Sequence, residues 1–244
     1  MISFAEGIGC LVQGMGLIFR PGARRFVLIP LFVNVLLFSL LVGYGLGWVD
    51  DLLIWMDGVL PDWLHWLRWL VVPLLLVGVV LFVFSTFTMV ANLIASPFNS
   101  HLAAVVEGIV AGGRPVARDP GGAIVNEIGK VFYSLKWMFL FLILFLIPGL
   151  QAAITPLWLL FCVWMMAVEY GDYPMAIHGM SGTAVRRHLR RHLGGSLGFG
   201  VAVMGLMMVP VVNLLAMPAA VAGATVFWLK TRGDIVLDAP EINH

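Results

Sequence analysis

Four long stretches without a charged residue dominate the chain: Phe26–Val49, Trp69–Ser100, Trp137–Val168 and Leu193–Leu229. A helix needs about 20 apolar residues to cross a hydrocarbon core roughly 30 Å thick, and each stretch is long enough. With 61% apolar and 11% charged residues, the chain carries more apolar side chain than a soluble core can absorb, whereas a bilayer can take it up. The expected class is an all-α integral membrane protein. Sixteen Phe and nine Trp suit a lipid-facing surface with interfacial aromatic belts. Trp48, Trp55, Trp63, Trp66 and Trp69 gather around the segment joining the first two stretches.

Proline interrupts the last two stretches. The third carries Pro148-Gly149 near its centre and Thr155-Pro156 shortly after; the fourth carries Val209-Pro210, Asn213 and Met217-Pro218. The apolar arms of the third hold about 11 residues each, roughly 16 Å at 1.5 Å per residue, which is half a bilayer. Charge supports a chain that turns back. Basic residues favour the cytoplasmic side of short loops, and the loop over residues 169–192 contains Arg186, Arg187, Arg190 and Arg191. If the third and fourth stretches each enter and leave on one side, every basic loop lies inside. The outside loop is then the acidic one, with Asp50, Asp51, Asp57 and Asp62. Kinked single crossings are the alternative.

The expected architecture is thus a single membrane domain with two long transmembrane helices, over residues 21–49 and 69–100. Two re-entrant (hemi-penetrating) helical hairpins follow, over 137–168 and 193–229. Residues 101–136 form a polar region on the cytoplasmic side, and 230–244 a tail. Ala95-Ser96-Pro97-Phe98-Asn99 marks an end or a kink in the second span. Residues 1–19 read as an N-terminal interfacial helix, because Phe4, Ile8, Leu11, Val12, Met15, Ile18 and Phe19 follow helical spacing. Gly7, Gly9, Gly14 and Gly16 lower its helix propensity but permit close packing. No cleavable signal peptide is expected, since Glu6 stands where an early positive charge belongs.

Several chemistries have no residues to carry them. There is no phosphate-binding G-x-x-x-x-G-K-[ST] loop, no H-E-x-x-H and no paired-cysteine motif, so no catalytic site, metal or cofactor is expected. No nucleic-acid partner is expected either. Cys10 and Cys162 lie in different apolar segments and read as free thiols. His188 and His192 sit four apart in an arginine run and read as solvated, protonated side chains.

The strongest binding candidate is Gly22-Ala23-Arg24-Arg25, after the break Arg20-Pro21. Glycine lets a ligand approach the backbone. A helix start offers bare N–H groups and partial positive charge, and two guanidinium groups add planar donors. Together they suit an oxyanion at the membrane edge, or an ordinary arginine anchor on the inside. A second candidate is Glu107, Arg114, Arg118 and Asp119, mixed charges that line a polar path or a solvated loop. A third is Glu169 and Asp172, in a coupling or a structural role. Asn34 and Asn92, inside spanning stretches, suit helix–helix contacts.

The segments RPGARRFVLIPLFVN (Arg20–Asn34), NLIASPFNSHLAAVVE (Asn92–Glu107), EYGDYPM (Glu169–Met175) and SLGFG (Ser196–Gly200) together resemble the CysZ family of bacterial sulfate permeases. The likeness covers nearly the whole chain. Ala23 stands where the family usually has leucine, a change of packing more than of charge. The resemblance implies sulfate uptake across the bacterial inner membrane for cysteine biosynthesis. It implies sulfate contact at Gly22, Ala23, Arg24 and Arg25, and a homo-oligomer in the lipid bilayer. Two other functions stay open from the residues alone. One is a non-transporting membrane scaffold or chaperone with lipid-perturbing hairpins. The other is a membrane enzyme, which lacks a nucleophile beside Glu169, Asp172 and His178. The energy source, channel or proton-coupled carrier, is also open.

Overall fold

The computed structural model of the chain describes residues 2–59, 68–112 and 123–233. Among them every regular element is an α-helix: α1 (Phe4–Leu17), α2 (Arg24–Val59), α3 (Arg68–Ala111), α4 (Ala123–Phe145), α5 (Gln151–Ala176), α6 (Gly182–Arg191), α7 (Leu193–Met207) and α8 (Pro210–Thr231). The chain divides into two compact units. One combines the residues up to Val27 with those from Asn99 onward; the other is Leu28–Phe98.

Helix α1 opens on a capping box. The Ser3 hydroxyl accepts from the Glu6 N–H, and the Glu6 carboxylate accepts from the Ser3 N–H at 2.7 Å. The Ser3 backbone and hydroxyl bonds hold the Glu6 carboxyl below the usual carboxylate range. The helix packs against α7 and α8, and glycine sets how closely. A β-carbon on Gly7 would overlap the Gly195 carbonyl oxygen, and one on Gly14 would overlap the Gly223 nitrogen. From the other side, Gly198 lies against the Phe4 carbonyl and Gly223 against the Leu11 backbone. The buried face is therefore Gly7, Cys10, Leu11, Gly14 and Ile18. This corrects the apolar stripe read from the sequence: Phe4, Val12 and Phe19 point outward. Backbone approach decides which face turns inward, and hydrophobic size does not.

Two of the four proline-marked breaks, Pro148-Gly149 and Val209-Pro210, are ends of helices, whereas Pro156 and Pro218 lie inside α5 and α8 and interrupt neither. Between α4 and α5 the chain turns through Pro148 and Gly149, whose φ of 84° favours glycine. Gln151 closes this turn from both sides. Its side-chain Oε1 accepts from the Gly149 N–H at 2.9 Å, and its Nε2 donates to the Phe145 carbonyl at 3.2 Å. Such closure matters where no water is at hand for bare backbone groups. Between α7 and α8, extended Val209 precedes Pro210 at the first helical position, where a missing N–H costs nothing. In each pair the two helices pack against one another. After α5, Gly179 at φ 76° ends the helix, with the Met180 N–H bonded back to Met175. Ser181 then caps α6.

Helix α8 is the centre of the larger unit. Residues Ala219 to Trp228 are buried on every side, and the apolar window of Val212–Thr231 is 61% buried, against 12% for Arg24–Gly45 in α2. Small residues (Ala219, Ala220, Ala222, Gly223, Ala224) let α1, α5 and α7 all reach it. Val168, Met175, Val185, Leu189, Phe199 and Val203 complete the core. In the other unit, Phe32, Val35, Trp48, Trp69, Leu74 and Phe82 are exposed, as suits side chains that meet lipid.

Among the described residues, three helical segments are long and apolar enough to cross a membrane: Arg24–Gly45, Gln151–Ala176 and Val212–Thr231. Several expected boundaries move. Helix α2 begins at Arg24, leaving Pro21 in the preceding turn, and continues past Asp50 and Asp51 to Val59. Helix α3 runs through Ser96-Pro97 to Ala111 without ending there. Helices α4 and α5, at 23 and 26 residues, are longer than the apolar arms read from the sequence, because they carry on into polar residues. Charge ends an apolar stretch but not a helix, since a helix can continue into water. Cys10 is buried and Cys162 half-buried, both as free thiols.

The glycine contacts generate a paired prediction. Gly14→Leu drives a side chain into the α8 backbone and is expected to cost about 3 kcal/mol. Gly16→Ala, where a β-carbon meets nothing within 4 Å, is expected to be neutral or to stabilise by up to about 1 kcal/mol through helix propensity. Thermal unfolding of both variants in detergent checks the contrast.

Candidate anion site and buried ion pairs

The turn between α1 and α2 is built by Gly22, at φ 98°, and by the Arg20 carbonyl, which accepts from the Ala23 and Arg24 N–H groups at 3.1 and 3.2 Å. Ala23 is fully enclosed and Val27 nearly so, which fastens the turn to the larger unit. The nearest side chain to a β-carbon on Gly22 would be Val105, at 3.9 Å. Gly22, Arg24 and Arg25 are exposed. The Arg25 guanidinium lies 4.9 Å over the Phe26 ring, and that ring stacks on His101 at 6.2 Å with an interplanar angle of 11°. The structure therefore presents the two arginines and Gly22 outward. Ala23 offers an outside ligand no side chain, and its N–H is committed within the turn.

Of the second candidate group, Glu107 lies within the described residues and Arg114, Arg118 and Asp119 lie outside them. Glu107 finds other partners. One carboxylate oxygen lies 2.8 Å from His178 Nε2, and the other accepts from Arg232 Nη1 at 3.1 Å. His178 also packs against the Trp228 ring, with centroids 5.4 Å apart. This cluster joins the end of α3, the turn after α5 and the end of α8.

The third candidate pair shares one cation. Lys130 Nζ on α4 lies 3.1 Å from Glu169 and 3.5 Å from Asp172 on α5. Lys130 is buried, Asp172 largely so, and Glu169 partly exposed. Three residues apart, the two acids stand one above the other on the helix surface, so a single ammonium reaches both. Next along α4, Tyr133 accepts from Trp164 Nε1 and lies under the Arg186 guanidinium at 4.6 Å, binding α4 to α5 and α6.

His188 and His192 depart from expectation. Both are buried, with ring centroids 5.0 Å apart, and His188 Nε2 lies 2.8 Å from the Thr231 hydroxyl. Their spacing places His188 on the inward face of α6 with Val185 and Leu189 and His192 at its C-cap, while Arg187, Arg190 and Arg191 face out. Lys130 and Arg232 are partners that the sequence did not place, and His178, set there beside Glu169 and Asp172, meets Glu107 instead. Charge balance was the available signal, because a carboxylate beside an apolar stretch needs a cation close by.

The fold and its charged clusters define, among the described residues, a helical protein with segments long and apolar enough to cross a membrane and with polar groups paired between helices. The chain belongs to the sulfate transporter CysZ/etoposide-induced protein 2.4 family, whose sequence model matches residues 10–218. Sulfate transporter CysZ of Pseudomonas paraeruginosa strain PA7 is 42% identical over 240 residues, covering 93% of this chain and 96% of that protein. The proteins of the same name from Pseudomonas fluorescens strain Pf0-1 and Pectobacterium atrosepticum are 42% and 35% identical. These alignments cover 91% and 97% of this chain, and 92% and 89% of those proteins.

Lys130→Met leaves two carboxylates without their shared cation. The expected loss is about 2 kcal/mol, at the low end for a buried pair because Glu169 reaches solvent, or about 5 °C in Tm. Adding Glu169→Gln and Asp172→Asn is expected to restore most of it. Circular dichroism melts of the purified variants measure both effects.

Proposed function

We propose that this protein moves inorganic sulfate across the bacterial inner membrane into the cytoplasm, where it feeds cysteine biosynthesis. The observation that carries this is the match, over nine-tenths of the chain, to relatives named sulfate transporters. The outward-facing Arg24 and Arg25 give that reading a chemical form. Sulfate is a strongly hydrated dianion, and guanidinium donors replace part of its water shell through charge-assisted hydrogen bonds. Gly22 permits close approach, and buried Ala23 anchors the turn. The Ala23 and Arg24 amides join the contact only by exchanging their bonds to the Arg20 carbonyl. Glu107 borders the onward polar path, and the binding stays weak enough for release.

The same reading makes the protein a transporter and not an enzyme, working as a single membrane domain and a homo-oligomer. The α4–α5 and α7–α8 pairs are then re-entrant hairpins, supported by the basic loops that this arrangement keeps inside, and α1 lies near the interface.

Purified protein in liposomes is expected to take up labelled sulfate above the protein-free background; uptake equal to that background removes the transport claim. Arg24→Ala and Arg25→Ala are each expected to lower uptake at sub-saturating sulfate about fivefold. That corresponds to about 1 kcal/mol for an exposed charged contact. Added salt is expected to weaken the wild type more than either variant.

A further inference from the structure

Helix α6 is the part of the molecule that sulfate transport leaves unexplained. Its ten residues, GTAVRRHLRR, hold four arginines and no acid. Val185, His188 and Leu189 hold one face against the core, and α6 packs on α4, α5 and α7. Arg186 is fixed over Tyr133. Arg187, Arg190 and Arg191 stand on the exposed face. Three residues apart, Arg187 and Arg190 are neighbours on the helix surface, and their like charges favour an anion between them.

The position of this face identifies its occupant. Helix α5, long and apolar enough to cross a membrane, ends at Ala176, six residues before α6 begins. Apolar α7 starts at Leu193, two residues after α6 ends, and Leu193 is itself exposed. The basic helix thus connects two apolar helices at their ends, which, on the membrane placement proposed above, sets it at the headgroup level. Anions at that level are lipid phosphates, and a helix face of guanidinium groups suits them.

We propose that the exposed face of α6 is a binding surface for anionic phospholipid headgroups, with Arg187 and Arg190 as the main contacts. Each basic residue near an anionic surface contributes about fivefold in affinity, so losing both weakens lipid binding about 25-fold. The full-length protein in neutral detergent is titrated with phosphatidylglycerol, with phosphatidylcholine and with inorganic phosphate. Retained lipid is read by native mass spectrometry, and Tm by intrinsic fluorescence.

Phosphatidylglycerol is expected to bind and raise Tm where phosphatidylcholine does not. Arg187→Gln/Arg190→Gln is expected to lose that response, and Arg187→Lys/Arg190→Lys to keep part of it. Equal responses to the two lipids would overturn the proposal, as would an unchanged response in the glutamine variant. An equal effect of inorganic phosphate would also overturn it, by assigning the face to free anions. Because the readout is lipid retention, failure of sulfate uptake leaves this outcome untouched.

Discussion

Backbone-to-backbone contact between α1 and the pair α7 and α8 is the constraint on which the larger unit depends. Gly7 against Gly195, Gly14 against Gly223 and Gly198 against Phe4 let three helices touch with no side chain between them. Apolar side chains gain little from one another where lipid is equally apolar, so helices hold together through close van der Waals fit. The large residues of α1 are thereby freed to face outward. Sparing the centre for small residues also explains why α8, with its Ala219 to Ala224 run, can be surrounded on all sides.

Within that tight frame, several charged and polar groups are paired across elements, while, among the described residues, Asn99 Nδ2 and Trp228 Nε1 are buried without a hydrogen-bond partner. Glu107 has a partner for each carboxylate oxygen, the His178 ring on one and the Arg232 guanidinium on the other. Lys130 answers two acids. Gln151 satisfies both sides of a helix break. These contacts lie where elements meet, so they join helices that apolar packing alone would leave free to slide. Arg24 and Arg25 differ in kind. They stand outside on a turn whose own N–H groups are occupied, so their charge is available to something that arrives from water.

Much of the candidate site was legible beforehand, and the reason is local. Gly22, Arg24 and Arg25 are neighbours in the chain, and a break followed by a helix start announces itself in Arg20-Pro21-Gly22. Pro148-Gly149 and Val209-Pro210 likewise marked true ends of helices, since proline and glycine act through their own dihedrals. The Glu107 cluster was half legible. Its acid was singled out, but His178 and Arg232 stand 71 and 125 residues away in sequence. The histidines of α6 were misread because arginine neighbours suggested water, whereas helical periodicity put His188 on the inner face, with His192 buried at the C-cap.

Hydropathy, chain breaks and the distribution of charge belong to the chain itself, and they already determined a helical membrane protein interrupted at two prolines and carrying an exposed basic turn. Which face of α1 turns inward, which cation meets which acid, and how far each helix continues beyond its apolar stretch were decided only when distant segments came together. The physical reason is range. Propensity and transfer free energy act within a few residues, whereas backbone approach and ion pairing act between elements whose distance in sequence carries no trace of their nearness in space.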